Sequence, residues 1–206
     1  MAADGGGLSA TSGRIVLASS SPRRHELLTQ LGIAFEITPA DIDESELPGE
    51  DPVTYVRRLA IEKAAVGEFA DDDIVIAADT TVDVDGEILA KPADDADARR
   101  MLGLISARTH DVHTGVAVRH RGSTEVAVAT TKVTMVNIDE ARMQWYIATG
   151  EPFGKAGAYA MQGAAAALVE RIEGSVSNVI GLPLAVLDGV LARFGLSLVA
   201  LASTPR

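Results

Sequence analysis

Apolar residues along this chain follow two alternating rhythms, short unbroken runs and positions that recur every three or four residues. RIVLAS, residues 14–19, is a short run rich in β-branched residues and predicts a strand; beyond Pro22, Leu27, Leu28 and Leu31 recur at helical spacing and predict a helix. GIAFEIT (32–38) predicts a second strand, and DIDESELPGE (41–50) a polar loop. Asp51 and Pro52 form an N-cap pair that opens a long helix with Val56, Leu59, Ala60 and Lys63 near one face. Residues 73–92, DIVIAADTTVDVDGEILAKP, hold two or three strands. Ile74 to Ala78 is continuously apolar, as in a buried strand, and Asp85-Gly86 is a hairpin turn that delivers Lys91-Pro92 to the hairpin's end.

The pattern continues with a helix over 94–106, a long antiparallel pair over 110–136 turning at Arg121-Gly122, and a helix over 139–150 ending at Gly150. The segment from AALVERI to LPLAVLDGVLARFG adds a strand and a closing helix. Strands that alternate with helices but include at least two hairpins predict an α/β protein with a mixed, twisted sheet flanked by helices, in two lobes around a cleft. No repeat or low-complexity linker divides the chain, so residues 14–206 read as a single domain behind a loose tail, residues 1–13.

Composition narrows the function. With 206 residues, 47% of them hydrophobic, the chain can bury a sizeable core. There is no apolar run of about 18 residues and no export-type start, so neither membrane insertion nor export is expected. Cysteine is absent, which excludes disulfides and thiolate metal sites and suits the cytoplasm. The net charge of −11 argues against a nucleic-acid partner, since the basic pairs Arg57-Arg58 and Arg99-Arg100 lie on predicted helices with acidic neighbours. A small anion in a local basic pocket remains compatible with that charge.

Several short stretches carry chemistry. LASSSPRRHELL, residues 17–28, places Ser19, Ser20, Ser21, Arg23 and Arg24 at a strand-to-helix junction, where free backbone N–H groups and the helix dipole favour an anion such as phosphate. The alternative reading of this stretch alone is that the serines cap the helix and the arginines solvate its first turn. Asp79 follows the buried run VIAA, and the carboxyl end of such a strand is where α/β sheets present catalytic carboxylates; Thr80, Thr81 and the returning Lys91 are its polar neighbours. Lys63, late in its helix, suits the helix dipole, and Glu44 suits a solvated loop. KAGAYAMQG (155–163) is a small-residue loop whose Gln162 both donates to and accepts from a nucleobase edge. His110 and His113 fall on opposite faces of one strand, and Asp71-Asp72-Asp73 reads as a solvated turn; neither group is assigned chemistry.

Taken in order, ASSSPRR, DE, EKA, AADT, KP, KAGAYAMQG and GSVSNVIGLPL resemble the Maf family of nucleoside triphosphate pyrophosphatases from about Arg14 to the final helix. The resemblance implies a mixed α/β, inosine triphosphatase-like fold with a central cleft, a likeness to enzymes that cut a nucleotide between its α and β phosphates, a divalent cation (magnesium or manganese) and a homodimer. It places the catalytic base on Asp79, with Ser19, Arg24, Glu44, Lys63 and Lys91 handling phosphate and metal, and Asp79 and Glu44 as the metal ligands. Arg23, Thr80 and Gln162 match the branch acting on dTTP and UTP rather than the 7-methyl-GTP branch. Ala160 and Met161 depart from the glycine and isoleucine more usual before that glutamine. The family's link to septum formation leaves a second reading, a nucleotide-sensing cell-division regulator that acts through a partner.

Overall fold

The longest apolar runs of the sequence form the centre of a seven-stranded mixed sheet in a computed structural model that describes residues 13–202. Its strands are β1 (Ile15–Leu17), β2 (Glu36–Ile37), β3 (Ile74–Val84), β4 (Glu87–Leu89), β5 (Thr109–His120), β6 (Ser123–Met135) and β7 (Val169–Glu173). The order is β2-β1-β3-β5-β6-β7, with β4 also on β3; β1 runs parallel to β2 and β3, and the remaining pairs are antiparallel. Both predicted hairpin turns are present. Asp85-Gly86 and Arg121-Gly122 each place two consecutive residues at positive φ, the twist that lets a two-residue turn join right-handed strands.

Helices cover both faces: α1 (Pro22–Gln30), α2 (Pro52–Ala65), α3 (Asp95–Ile105), α4 (Glu140–Ala148), α5 (Val176–Ile180), α6 (Leu184–Ala192) and α7 (Leu198–Ala202). Strand periodicity decides which helix packs where. On β3, Val75 and Ala77 meet Ala60 and Ala64 of α2, whereas Ile74, Ile76 and Ala78 meet Leu27 and Leu28 of α1 and Leu187, Val190 and Leu191 of α6. The far ends of β3, β5 and β6 carry a separate cluster, Val82, Val84, Val112 and Val133, packed on α3 and α4. These two groupings are the lobes, and the cleft lies between them.

β3 creates that cleft. One of its edges pairs with β5 from Val75 to Asp83, while the other is shared, with β1 covering Ile74–Ile76 and β4 covering Val82–Val84. Residues 77–81 therefore have no strand on that edge. Asp79 does not close a strand, as the run VIAA suggests; β3 continues to Val84, and Asp79 is presented at a mid-strand window where β1 has ended and β4 has not begun. The remaining departures are short: the second strand is only Glu36–Ile37, and α5 and α7 add to the closing helix. The predicted tail, apart from Gly13, lies outside the described residues. No helix among them is long and apolar enough to cross a membrane.

The aspartate triplet also departs from expectation at its last member. Asp73 is buried, and its carboxylate takes the backbone N–H of Arg14 at 3.0 Å and of Ala70 at 3.0 Å, with Arg14 Nη2 at 2.7 Å. The Arg14 guanidinium, with those N–H donors, holds the Asp73 carboxyl well below its usual 3.8, at about 2. A depressed folded-state value means stability that is complete above 3.8 and is lost as pH falls toward about 2. Asp73→Asn is accordingly expected to melt earlier than wild type at neutral pH, and melting curves taken down an acid series should converge across that window.

Candidate active site

A cavity of about 510 Å³ opens at the β3 window, a size suited to a nucleotide-scale ligand. Its first wall is the β1–α1 junction. Ser19 is buried, and its Oγ accepts from Ser21 N–H at 3.2 Å and from Arg24 Nη1 at 3.1 Å. Arg24 also donates from Nη2 to Thr80 Oγ1 at 3.1 Å and from Nε to the Gly181 carbonyl at 2.7 Å. All these partners are neutral oxygens, which orient the guanidinium without cancelling its charge. Burial pulls the Arg24 pKa down and the Asp79 charge pulls it back, but an arginine stays cationic at neutral pH. Arg23 lines the same wall, half-buried, and its side chain makes no hydrogen bond to the described residues.

The opposite wall is a chain of charges. Lys63 Nζ lies 2.5 Å from Asp79 Oδ1 and 2.6 Å from Glu44 Oε1, and Lys91 Nζ lies 3.1 Å from Glu44 Oε2. Lys63 and Asp79 are almost fully buried, Glu44 is partly exposed, and Lys91 reaches in from solvent. Burial raises the Asp79 pKa against the opposing charges of Lys63 and Arg24. Glu44 goes the other way: burial alone would raise it, but Lys63 and Lys91 together hold it below its ordinary value.

Tertiary packing brings these groups together from distant segments. Gly115 on β5 is the cross-strand partner of Asp79, and a Cβ there would fall 2.2 Å from the Val56 carbonyl of α2. The missing side chain lets α2 lie close on the sheet, so Lys63 reaches Asp79. Tyr55 Oη donates to the Glu44 carbonyl at 2.9 Å, and Arg58 grips the same loop through the Glu50 carboxylate and the Ser45 carbonyl. Gly115, Tyr55, Arg58 and Gly181 escape sequence reasoning, because a glycine at a close approach or a tyrosine behind a loop has no local signature.

The structure thus brings Ser19, Arg23, Arg24, Glu44, Lys63, Asp79, Thr80 and Lys91 to one cavity. Lys63, whose place late in α2 by itself only suits the helix dipole, is the cation between Asp79 and Glu44. Gln162 does not line the cavity; its Nε2 lies 3.4 Å from Glu26 Oε2, one helical turn beyond Arg23 on α1. Thr80 Oγ1 is shared between Arg24 and, at 2.9 Å, Thr114 Oγ1.

An α/β cleft with a carboxylate–lysine–carboxylate chain facing a serine-held arginine is a site built for a polyanion, and residues 14–194 match the family described as Maf-like protein, to which this chain belongs. A relative described as dTTP/UTP pyrophosphatase from Anaeromyxobacter dehalogenans (strain 2CP-1 / ATCC BAA-258) is 53% identical over 189 residues, covering 90% of this chain and 96% of its own. Relatives with the same description occur in Chromobacterium violaceum, 50% identical over 191 residues (90% and 96%), and Myxococcus xanthus, 50% identical over 185 (89% and 94%). A solved HAM1 protein from Coxiella burnetii is 16% identical with TM-score 0.41, covering 60% of this chain and 73% of that one.

Proposed function

We propose that this chain hydrolyses dTTP and UTP between the α and β phosphates, releasing the nucleoside monophosphate and pyrophosphate. The observation that carries this reading is the Asp79–Lys63–Glu44–Lys91 chain set across one cavity from Arg24. Water adds to the α-phosphorus, its proton passes to Asp79 Oδ, and the bond to the α–β bridging oxygen breaks with its electrons leaving on pyrophosphate. Lys63 opposes burial by favouring the charged form of Asp79, while Arg24, Lys91 and the Ser19 hydroxyl bind the phosphate oxygens and the charge that develops on the leaving group.

The residues fit a divalent cation, magnesium or manganese. Asp79 and Glu44 present carboxylates on either side of one ammonium, and two hard oxygen ligands completed by substrate phosphates make a set that magnesium favours. Bound there, it supplies Lewis-acid polarisation of a phosphoryl oxygen.

For the base, Arg23 offers side-chain donors that suit the carbonyl edges of thymine and uracil, Thr80 accepts from Arg24, and Gln162 lies beside Glu26 of α1, outside the cavity lining. We assign the chain to the cytoplasm, on its lack of cysteine, and to a homodimer, on the family resemblance. Pyrophosphate release from dTTP, UTP, CTP, GTP and 7-methyl-GTP, with magnesium or manganese and with chelator, tests the reading. Turnover confined largely to dTTP and UTP and stopped by chelator is expected; preference for 7-methyl-GTP, or no turnover at all, overturns it.

A further inference from the structure

The loop that closes the base end of the cavity is held from behind by an acidic side chain that never touches the cavity. We propose that Glu151 is a positioning residue for base selection, anchoring residues 155–165 so that the wall facing Arg23 keeps one shape. The proposal rests on the pyrimidine reading above.

Glu151 follows α4 and points back under the loop. Its Oε2 accepts from Ala164 N–H at 2.8 Å, and its Oε1 accepts from Ala165 N–H at 3.2 Å and from Tyr146 Oη at 3.3 Å. Its backbone carbonyl accepts from Lys155 Nζ at the other end of the same loop. The carboxylate forms no salt bridge among the described residues, so its charge is directed at backbone N–H groups, which makes those bonds stronger than neutral ones. Burial and the Glu151 charge push the Tyr146 hydroxyl pKa up, so that group stays a donor.

The loop is shaped to receive this carboxylate. Gly163 has φ +99°, and a Cβ there would lie 2.6 Å from Glu151 Oε2, so only glycine lets the chain close on it. A second anchor sits earlier: Tyr159 Oη pairs with His110 Nε2 at 2.7 Å, and burial lowers the His110 pKa to about 4, so the imidazole stays neutral. Ala156, Tyr159 and Ala160 form the inner side of the loop against the cavity. Between the two anchors lie only Ala160, Met161, Gln162 and Gly163, so the placement of Gln162 relative to Arg23 depends on both ends being held.

Asp79, Lys63 and Glu44 hang on β3, α2 and the loop before α2, none of which Glu151 touches. Loss of its carboxylate should therefore change which base is accepted more than how fast the bond breaks. The test is kcat and KM for UTP and CTP in wild type, Glu151→Gln, Glu151→Ala and Gln162→Ala, with near-ultraviolet circular dichroism as the check on folding. Glu151→Ala is expected to lower the UTP:CTP ratio of kcat/KM about tenfold, through KM for UTP, with kcat changed less than about threefold. Glu151→Gln, which keeps one acceptor oxygen, should fall between. An unchanged ratio with equal losses on both nucleotides makes Glu151 merely structural and overturns the proposal, as does failure of both variants to fold. A ratio that drops in Gln162→Ala but not in the Glu151 variants removes the anchor and leaves the base reading standing. A wild type indifferent to UTP and CTP removes both together.

Discussion

Asp79→Asn is expected to cut pyrophosphate release by about 10²–10⁴-fold while the protein stays folded, the range a positioned general base contributes. The amide keeps the carboxylate's shape and one acceptor oxygen for Lys63, which now lies 2.5 Å from Asp79 and 2.6 Å from Glu44, so the cation retains a carboxylate partner. It has no basicity with which to take a proton from water. Burial already disfavours the charged form of Asp79, so a neutral isostere should cost little stability. Single-turnover assays beside thermal melts decide the matter: a rate within tenfold of wild type would remove Asp79 from the role of base.

Lys63→Met is expected to damage both stability and rate. The ammonium joins the two carboxylates, and its side chain is only 8% exposed. Without it, Lys91 still pairs with Glu44, but buried Asp79 is left with the Arg24 charge alone to oppose burial and Glu44, and breaking a buried pair from one side costs about 3 kcal/mol. Glu44 is partly exposed and can turn to water, which favours the lower end of the usual range. Hydrolysis should fall by at least about a hundredfold, because the protonated acid cannot act as base and the phosphates lose a cation. Urea melts and pyrophosphate release report the two effects separately, and wild-type stability in this variant would show that the bridge does not operate in solution.

Much of the framework is legible in the residue pattern because its signals are local. The run Ile74–Ala78, the positive-φ turns at Asp85-Gly86 and Arg121-Gly122, and the Asp51-Pro52 helix start each depend on neighbours a few positions away. Asp73 departs from the solvated-turn expectation for the opposite reason. Its partner is Arg14, 59 positions distant, and nothing near an aspartate triplet marks one member for burial.

The site divides along the same line. The available chemistry is legible in the residues alone: a serine and two arginines at a helix start, carboxylates at 44 and 79, lysines at 63 and 91, and a small-residue loop carrying Gln162. How these groups meet depends on packing between distant segments. The strand pairings of β3 leave Asp79 at an uncovered edge, Gly115 lets α2 approach until Lys63 meets Asp79, and Glu151 ties the loop that carries Gln162. Register, close backbone approach and a buried carboxylate's choice of partner are properties of segments far apart in the chain, and such contacts exist only once the sheet has formed.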